Sequence, residues 1–361
     1  MSSIKKGLTV LVLLITCLSG WCGHNDSFSK ASGFVVPIAY YTTETSLALG
    51  LGGIAYYNFG DNRTETRPSS AYFFATYTLN RQWIIDLPYH IFSNREEWYI
   101  TGEFAKYDFP FKFYGVGCEI DPGLYERYHL KQTKLYATAY KKFMGNWYVG
   151  PRLWTDHFHD IHYQPNGELS MLNLGGKNGG KSTGLGASLL YDNRRNVYCP
   201  QKGWYVELSY LNYAINSLNT NSFHNIRFDI RNYTKLGKGT VLASNFYGNF
   251  NLGRVPFYML AEFGGLFRMR GYYRGSYRDK NAVLFQTELR QKIKGRLGGA
   301  VFGGVASVFG NSNNKDGQLL KPSVGAGLRF VINRKENIPL RADYGMGQGF
   351  SGTYITTGEA F

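Results

Sequence analysis

The chain has 361 residues; 17% are aromatic, with 29 Tyr and 25 Phe, and it holds 44 Gly but only 11 Pro. A formal charge of +15 admits nucleic acid, a membrane surface or an acidic glycolipid as partner, yet the Lys and Arg are spread over the whole chain and not gathered on one face, which counts against nucleic acid. No hydrophobic run after residue 22 reaches the roughly 18 residues of a membrane helix, so short, aromatic, Gly-rich segments fit a closed sheet in lipid better than a soluble core.

Residues 1–22 read as a secretory signal peptide, with Lys5-Lys6, the apolar run Leu8 to Ile15 and the small pair Ser19-Gly20. Lipidation is the weaker alternative, because Trp21 precedes Cys22 and Thr16 precedes Cys17 where a small residue is needed. Residues 23–32 form a short N-terminal tail and 33–361 a single barrel domain. After processing, Cys118 and Cys199 remain, too few for a disulfide framework, and both are expected as free thiols.

From Gly33 the pattern has period two, with turn signals every dozen residues or so. Strands are predicted at Gly33 to Thr42, Ser46 to Phe59, Ser69 to Leu79, Gln82 to Phe92, Glu97 to Phe109, Glu126 to Phe143 and Asn146 to Phe158. They continue with Ser182 to Asp192, Gly203 to Ile215, Ser222 to Leu236 and Thr240 to Leu252. The last five are Asn281 to Ile293, Arg296 to Phe309, Pro322 to Ile332, Ile338 to Gly345 and Thr353 to Phe361. This is about sixteen, an even number as single-chain membrane barrels require.

In Asn281 to Ile293 one face carries Phe285, Leu289 and Ile293, the other Gln286, Glu288, Arg290 and Lys292. In Ser222 to Leu236, Ile226, Phe228 and Ile230 oppose Asn225, Arg227, Asp229 and Arg231. Sixteen strands enclose too wide a lumen to pack apolar side chains, so the apolar face belongs outside and the charged face inside. A pair of soluble sandwich domains is the alternative, and the signal peptide and the charged inner stripes speak against it.

Between Gly253 and Lys280 lies a long connection containing Met269-Arg270-Gly271-Tyr272, a bend where Gly allows close backbone approach and the guanidinium is aimed inward. It resembles the loop tetrad of the BamA/TamA superfamily of outer-membrane assembly barrels (the bacterial surface antigen family), which is folded back into the barrel lumen. The approach Leu252 to Gly265 is similar to that family's. Asp192, Arg194, Asn196, Pro200 and Gly203 resemble its periplasmic turn, although Arg195 stands where an acid is usual; local backbone bonding is its plain role. The C-terminal Gly358 and Phe361 resemble the sorting signal read by the barrel-assembly machinery. These resemblances run from about residue 180 to the end. They imply an all-β transmembrane antiparallel barrel in a Gram-negative outer membrane, at work in inserting or translocating protein or lipid through a weak first–last strand seam and the lumen loop. The alternation of long and short connections fits odd-numbered connections being extracellular. That order places Cys118 in an extracellular loop and Cys199 in a periplasmic turn.

Two departures from the family stand out. Its acid in a Phe-x-Asp-x-Gly pattern is missing at Phe302-Gly303-Gly304-Val305-Ala306, so Glu288 first and Asp343 second are the expected partners of Arg270, with Arg341 competing for Asp343. About ten residues separate the processed terminus from the first strand, which predicts a form without periplasmic POTRA domains. Expected partners are outer-membrane lipid and lipopolysaccharide, the assembly machinery for the chain's own insertion, and a separate periplasmic protein as an open possibility; no cofactor is expected. A passive pore or structural barrel is the rival reading.

Three further features carry less. His157, His159 and His162 are a weak metal candidate against the plainer reading of an interfacial loop. Ser and His are present, but no spacing picks out a catalytic pair, so no enzyme is expected. Gly184, Gly186, Gly325 and Gly327 on inner faces are expected to leave room for the inserted loop or let the sheet curve, and Glu96-Glu97 to be solvated turn residues.

Overall fold

The computed structural model describes residues 31–59, 66–197, 199–213, 222–310, 320–333 and 338–361; the expected signal peptide and almost all of the tail lie outside them. The first half of the chain forms β1 (Ala31–Thr42), β2 (Ser46–Tyr57), β3 (Ser69–Thr78), β4 (Trp83–Phe92), β5 (Trp98–Phe113), β6 (Glu126–Met144), β7 (Trp147–His162) and β8 (Gly180–Asp192). The second half adds β9 (Gly203–Asn212), β10 (Phe223–Gly237), β11 (Thr240–Gly253), β12 (Ala261–Phe263), β13 (Tyr277–Asp279), β14 (Asn281–Lys294), β15 (Leu297–Phe309), β16 (Lys321–Asn333), β17 (Ile338–Gly347) and β18 (Phe350–Thr357). All but β12 and β13 form one closed antiparallel barrel of sixteen strands, each paired with its chain neighbour and β11 with β14; β12 and β13 make a separate two-stranded sheet.

Alternation puts the apolar side outward. Phe285 and Leu289 on β14 are exposed, while Gln286, Glu288 and Arg290 between them are buried inside. On β10, Phe228 meets the rings of Phe246 and Phe250 at 5.0 and 5.7 Å on the outer face. This inverts a soluble barrel, because lumen and outer surface trade polarity when the cylinder is too wide to be filled by apolar side chains.

Strand pairing is uneven around the cylinder. β1 and β2 pair without a break from Ala31↔Tyr57 to Thr42↔Ser46, whereas β1 meets β18 only at Tyr41↔Ile355. Hence the first–last seam has the least ladder hydrogen bonding among the described strands.

The predicted strands match the barrel, with differences at the ends. β5 runs on to Phe113 and β7 to His162, shortening two connections. The last strand stops at Thr357 instead of Phe361. Gly358 takes φ 79, a left-handed conformation that glycine adopts without a Cβ clash, and turns Glu359–Phe361 into the lumen. There Phe361 packs with Tyr233, Ala243 and Ala360. Phe361, expected on the last strand, therefore lies beyond it and is only 8% exposed.

Candidate functional site

The connection between β11 and β14 is a hairpin inside the barrel. β12 and β13 pair from Ala261↔Asp279 to Phe263↔Tyr277, which ties the stem, and Gly264 and Gly265 donate to the carbonyls of Arg268 and Tyr272 to tie the tip. Stem and wall share one apolar cluster containing Phe263, Met269, Tyr272, Tyr277, Leu284 and Val308. Cys118 lies in the same cluster and is fully buried, so the loop that carries it is packed onto the hairpin, not free in solvent; Cys118 and Cys199 are both free thiols. Within the stem, burial pushes the Glu262 carboxyl up, but the Arg274 and Arg278 guanidiniums outweigh it and hold it below the usual carboxylate range.

At the tip, the order of small and large residues is geometric. Gly271 lies against the backbone of Met346 on β17, 2.7 Å from where a Cβ would stand. A Cβ on Gly345 would come within 2.8 Å of the Arg270 carbonyl carbon, and one on Gly347 within 2.3 Å of the Tyr272 ring. The inner face of β17 is thus left bare at two alternate positions so that the tetrad can lie on it. Tyr272 Oη donates to the Pro322 carbonyl at 2.6 Å, and the Tyr354 hydroxyl accepts from the Gly271 amide at 3.2 Å. Met269 inserts beside Gly304, whose Cβ would meet its sulfur at 2.9 Å. The acid expected from the family pattern is missing where Met269 takes the space.

Arg270 is 2% exposed and sits between two walls. Its Nη2 donates to Glu288 Oε2 on β14 at 2.5 Å, and its Nη1 to Asp343 Oδ2 on β17. The plane of the guanidinium lies over Phe302 at 3.6 Å from the ring centroid. Both expected partners are therefore used at once, one per nitrogen, and Arg270 bridges strands on opposite sides of β15 and β16. The acids do not serve Arg270 alone. Glu288 Oε1 takes Arg290 Nε at 2.7 Å, Asp343 Oδ1 takes Arg329 Nη1 at 2.5 Å, and Arg341 Nη1 lies 3.5 Å from Asp343. Arg341 thus shares Asp343 without displacing Arg270. Glu359 completes the set, 3.1 Å from Arg329 Nε and 3.5 Å from Arg290 Nε.

Sequence reasoning missed Arg329, Glu359 and the two bare glycines of β17. Arg329 falls on the inner parity of its strand and Gly345 and Gly347 recur two apart, so both signals existed; Glu359 carried none, because a straight last strand was expected. Gly325 and Gly327 make room for Phe302 and for Asp343, and Gly184 for Tyr213, so these serve neighbouring wall side chains and not the loop.

The turn after β8 is more than local bonding. Asp192 holds Arg194 Nε at 2.9 Å and also Arg67 Nη1 at 2.7 Å. Arg67 in turn pairs with Glu96 at 2.9 Å, so Glu96 is a half-buried ion-pair partner, whereas Glu97 is exposed as expected. Asn196 accepts from the Cys199 amide at 2.9 Å, Gly203 takes φ 120 and Pro200 is buried. His157 and His159 stack at 4.8 Å, but Asp160 has φ 56 and the register shifts there, so His162 turns to Asp160 at 3.3 Å. The three imidazoles do not converge, and among the described residues no His, Cys, Asp and Glu cluster is disposed to hold a metal.

A sixteen-stranded barrel with its own hairpin pinned in the lumen by a buried arginine defines a class. Residues 48–361 match the Omp85 superfamily domain, and the chain belongs to that superfamily. Its fold is similar to that of BamA from Haemophilus ducreyi lacking POTRA domains 1–3, with TM-score 0.58 and 15% identity over 91% of this chain and 70% of that one. It is also similar to CdiB from Acinetobacter baumannii (TM-score 0.60, 12% identity, 92% and 60% covered) and to CdiB from Escherichia coli (0.57, 8%, 91% and 63%). The chain spans less than two thirds of the length of either CdiB. No curated protein sequence matches it.

Proposed function

We propose that this chain is an outer-membrane barrel that inserts or translocates protein or lipid, with the hairpin as a movable plug and the β1–β18 seam as a lateral opening. The outward apolar belt would face outer-membrane lipid and lipopolysaccharide, and the end with both termini and the short turns would face the periplasm. The observation that carries the reading is the Arg270 clamp: a lumen element held at one tip by ion pairs is built to be both fixed and released. A passive pore has no use for such a clamp, and a structural barrel has no use for a seam joined at one position.

Planar-bilayer conductance of the full chain, compared with a form lacking Met269–Lys280, tests it. The full chain is expected to be nearly closed with brief openings, and the shortened form steadily open. Equal, steady conductance from both would favour the passive pore. Lipid or ester hydrolysis abolished by one Ser or His change would favour an enzyme instead.

A further inference from the structure

Two of the cavities in the lumen lie one below the other. The upper one, of about 640 Å³, lies beneath the hairpin tip; the lower one, of about 470 Å³, lies at the mouth taken above as periplasmic. Glu359 lines both, so Glu359–Phe361 forms the partition between them. The lower cavity is lined by Lys235, Arg290, Lys292, Arg296 and Arg329, and Glu359 is its sole acid among the described residues. Arg290 and Arg329 are 7% and 5% exposed, yet Arg290 Nη1 has no hydrogen-bond partner among the described residues. A buried guanidinium with a free donor, in a cavity of like charge, is an acceptor site for an anionic group.

What already sits there identifies the chemistry. The Glu359 carboxylate meets both guanidiniums, the Phe361 main-chain oxygen accepts from Arg290 Nη2 at 3.0 Å, and the Phe361 ring lies 5.7 Å from the Arg290 guanidinium. Anionic oxygens and an aromatic ring together are peptide chemistry; a phosphate supplies no ring. We infer that the lower cavity is a docking site for an acidic, aromatic-containing peptide segment of a periplasmic protein, and that Glu359–Phe361 is the chain's own occupant, displaced on docking. The orientation rests on the proposed function above. Arg290 and Arg329 also hold Glu288 and Asp343, so an arriving carboxylate that replaces Glu359 would act on the two acids that clamp Arg270.

The test is binding of a fluorescently labelled Gly-Glu-Ala-Phe peptide to the full chain in detergent micelles, read as anisotropy. Glu359→Gln removes the internal competitor and should tighten binding about tenfold, while Gly-Gln-Ala-Phe should bind about tenfold more weakly, as for loss of one charged hydrogen bond. Lys292→Gln, at the exposed rim, should weaken binding about threefold and lessen its salt dependence. Equal affinity for wild type and Glu359→Gln, or for the two peptides, would overturn the proposal. So would displacement by inorganic phosphate at the peptide's own concentration, which would leave a small-anion site only. Because this readout needs no conductance, its failure leaves the plug reading standing, and failure of the plug reading leaves peptide binding measurable.

Discussion

The Arg270 clamp and the β1–β18 seam lie next to each other, and β18 carries parts of both through Tyr354 and Ile355. At the clamp, Arg270 joins β14 to β17 across two intervening strands, with every partner carboxylate buried. At the seam, a single aligned pair, Tyr41↔Ile355, closes the cylinder. One region concentrates ion pairs, close backbone approach and aromatic packing; the other forgoes the ladder that every other neighbouring pair possesses. Stability in this barrel is local, and the contrast can be broken from either side.

The largest effect should come from Asp343→Ala. It leaves Arg270, Arg329 and Arg341 short of a carboxylate in a buried setting, and breaking such a pair costs about 3–5 kcal/mol. Urea unfolding followed by Trp fluorescence should show that loss, and trypsin should gain access to the hairpin. Arg270→Ala should cost less, because Glu288 and Asp343 keep Arg290 and Arg329; Arg270→Lys should restore only part, since one ammonium cannot span both acids as the fork does. Resistance of the hairpin to trypsin in both Arg270 variants would mean that the clamp is not what holds the tip.

Next comes the outer apolar wall, away from both regions. Phe228→Arg sits mid-strand on the outer face, where Arg costs about 2–4 kcal/mol at the bilayer midplane. The folded fraction in liposomes should fall for Phe228→Arg and change little for Arg227→Ala; equal tolerance would invert the faces.

Gly347→Val should be milder, about 1–3 kcal/mol for overpacking, as its side chain drives into the Tyr272 ring. The sign of success is selective: hairpin exposure to trypsin rises while barrel unfolding barely shifts. If the barrel unfolds first, the tip and wall are one cooperative unit.

The smallest change to the folded barrel should follow a Tyr41→Cys, Ile355→Cys cross-link made in a Cys199→Ser background. Directly paired strand residues lie about 4.5–5.5 Å apart, within disulfide range. Oxidation should leave the hairpin's resistance to trypsin unchanged, yet stop any activity that needs a lateral opening. Activity of the oxidised form equal to that of the reduced form would remove the seam from the mechanism.

Strands and faces were legible in the sequence because period-two alternation is local: Phe285 and Glu288 declare opposite sides of β14 without any partner. The clamp was half legible. Both acids followed from parity once the family resemblance had placed Arg270 in the lumen, since an inward charge there must find an inward counter-charge. Only the tertiary structure decided that the acids are shared among four arginines, that Met269 fills the place of the family's missing acid beside Gly304, and that the inner face of β17 is bare where the tip lands. Each depends on which residues the closed cylinder brings opposite one another, and no local pattern encodes that. The inward turn at Gly358 lay furthest from view. Ladder pairing favours a straight strand, and Arg290 and Arg329, whose charges draw Glu359 out of it, are distant in sequence and adjacent only once the barrel has closed.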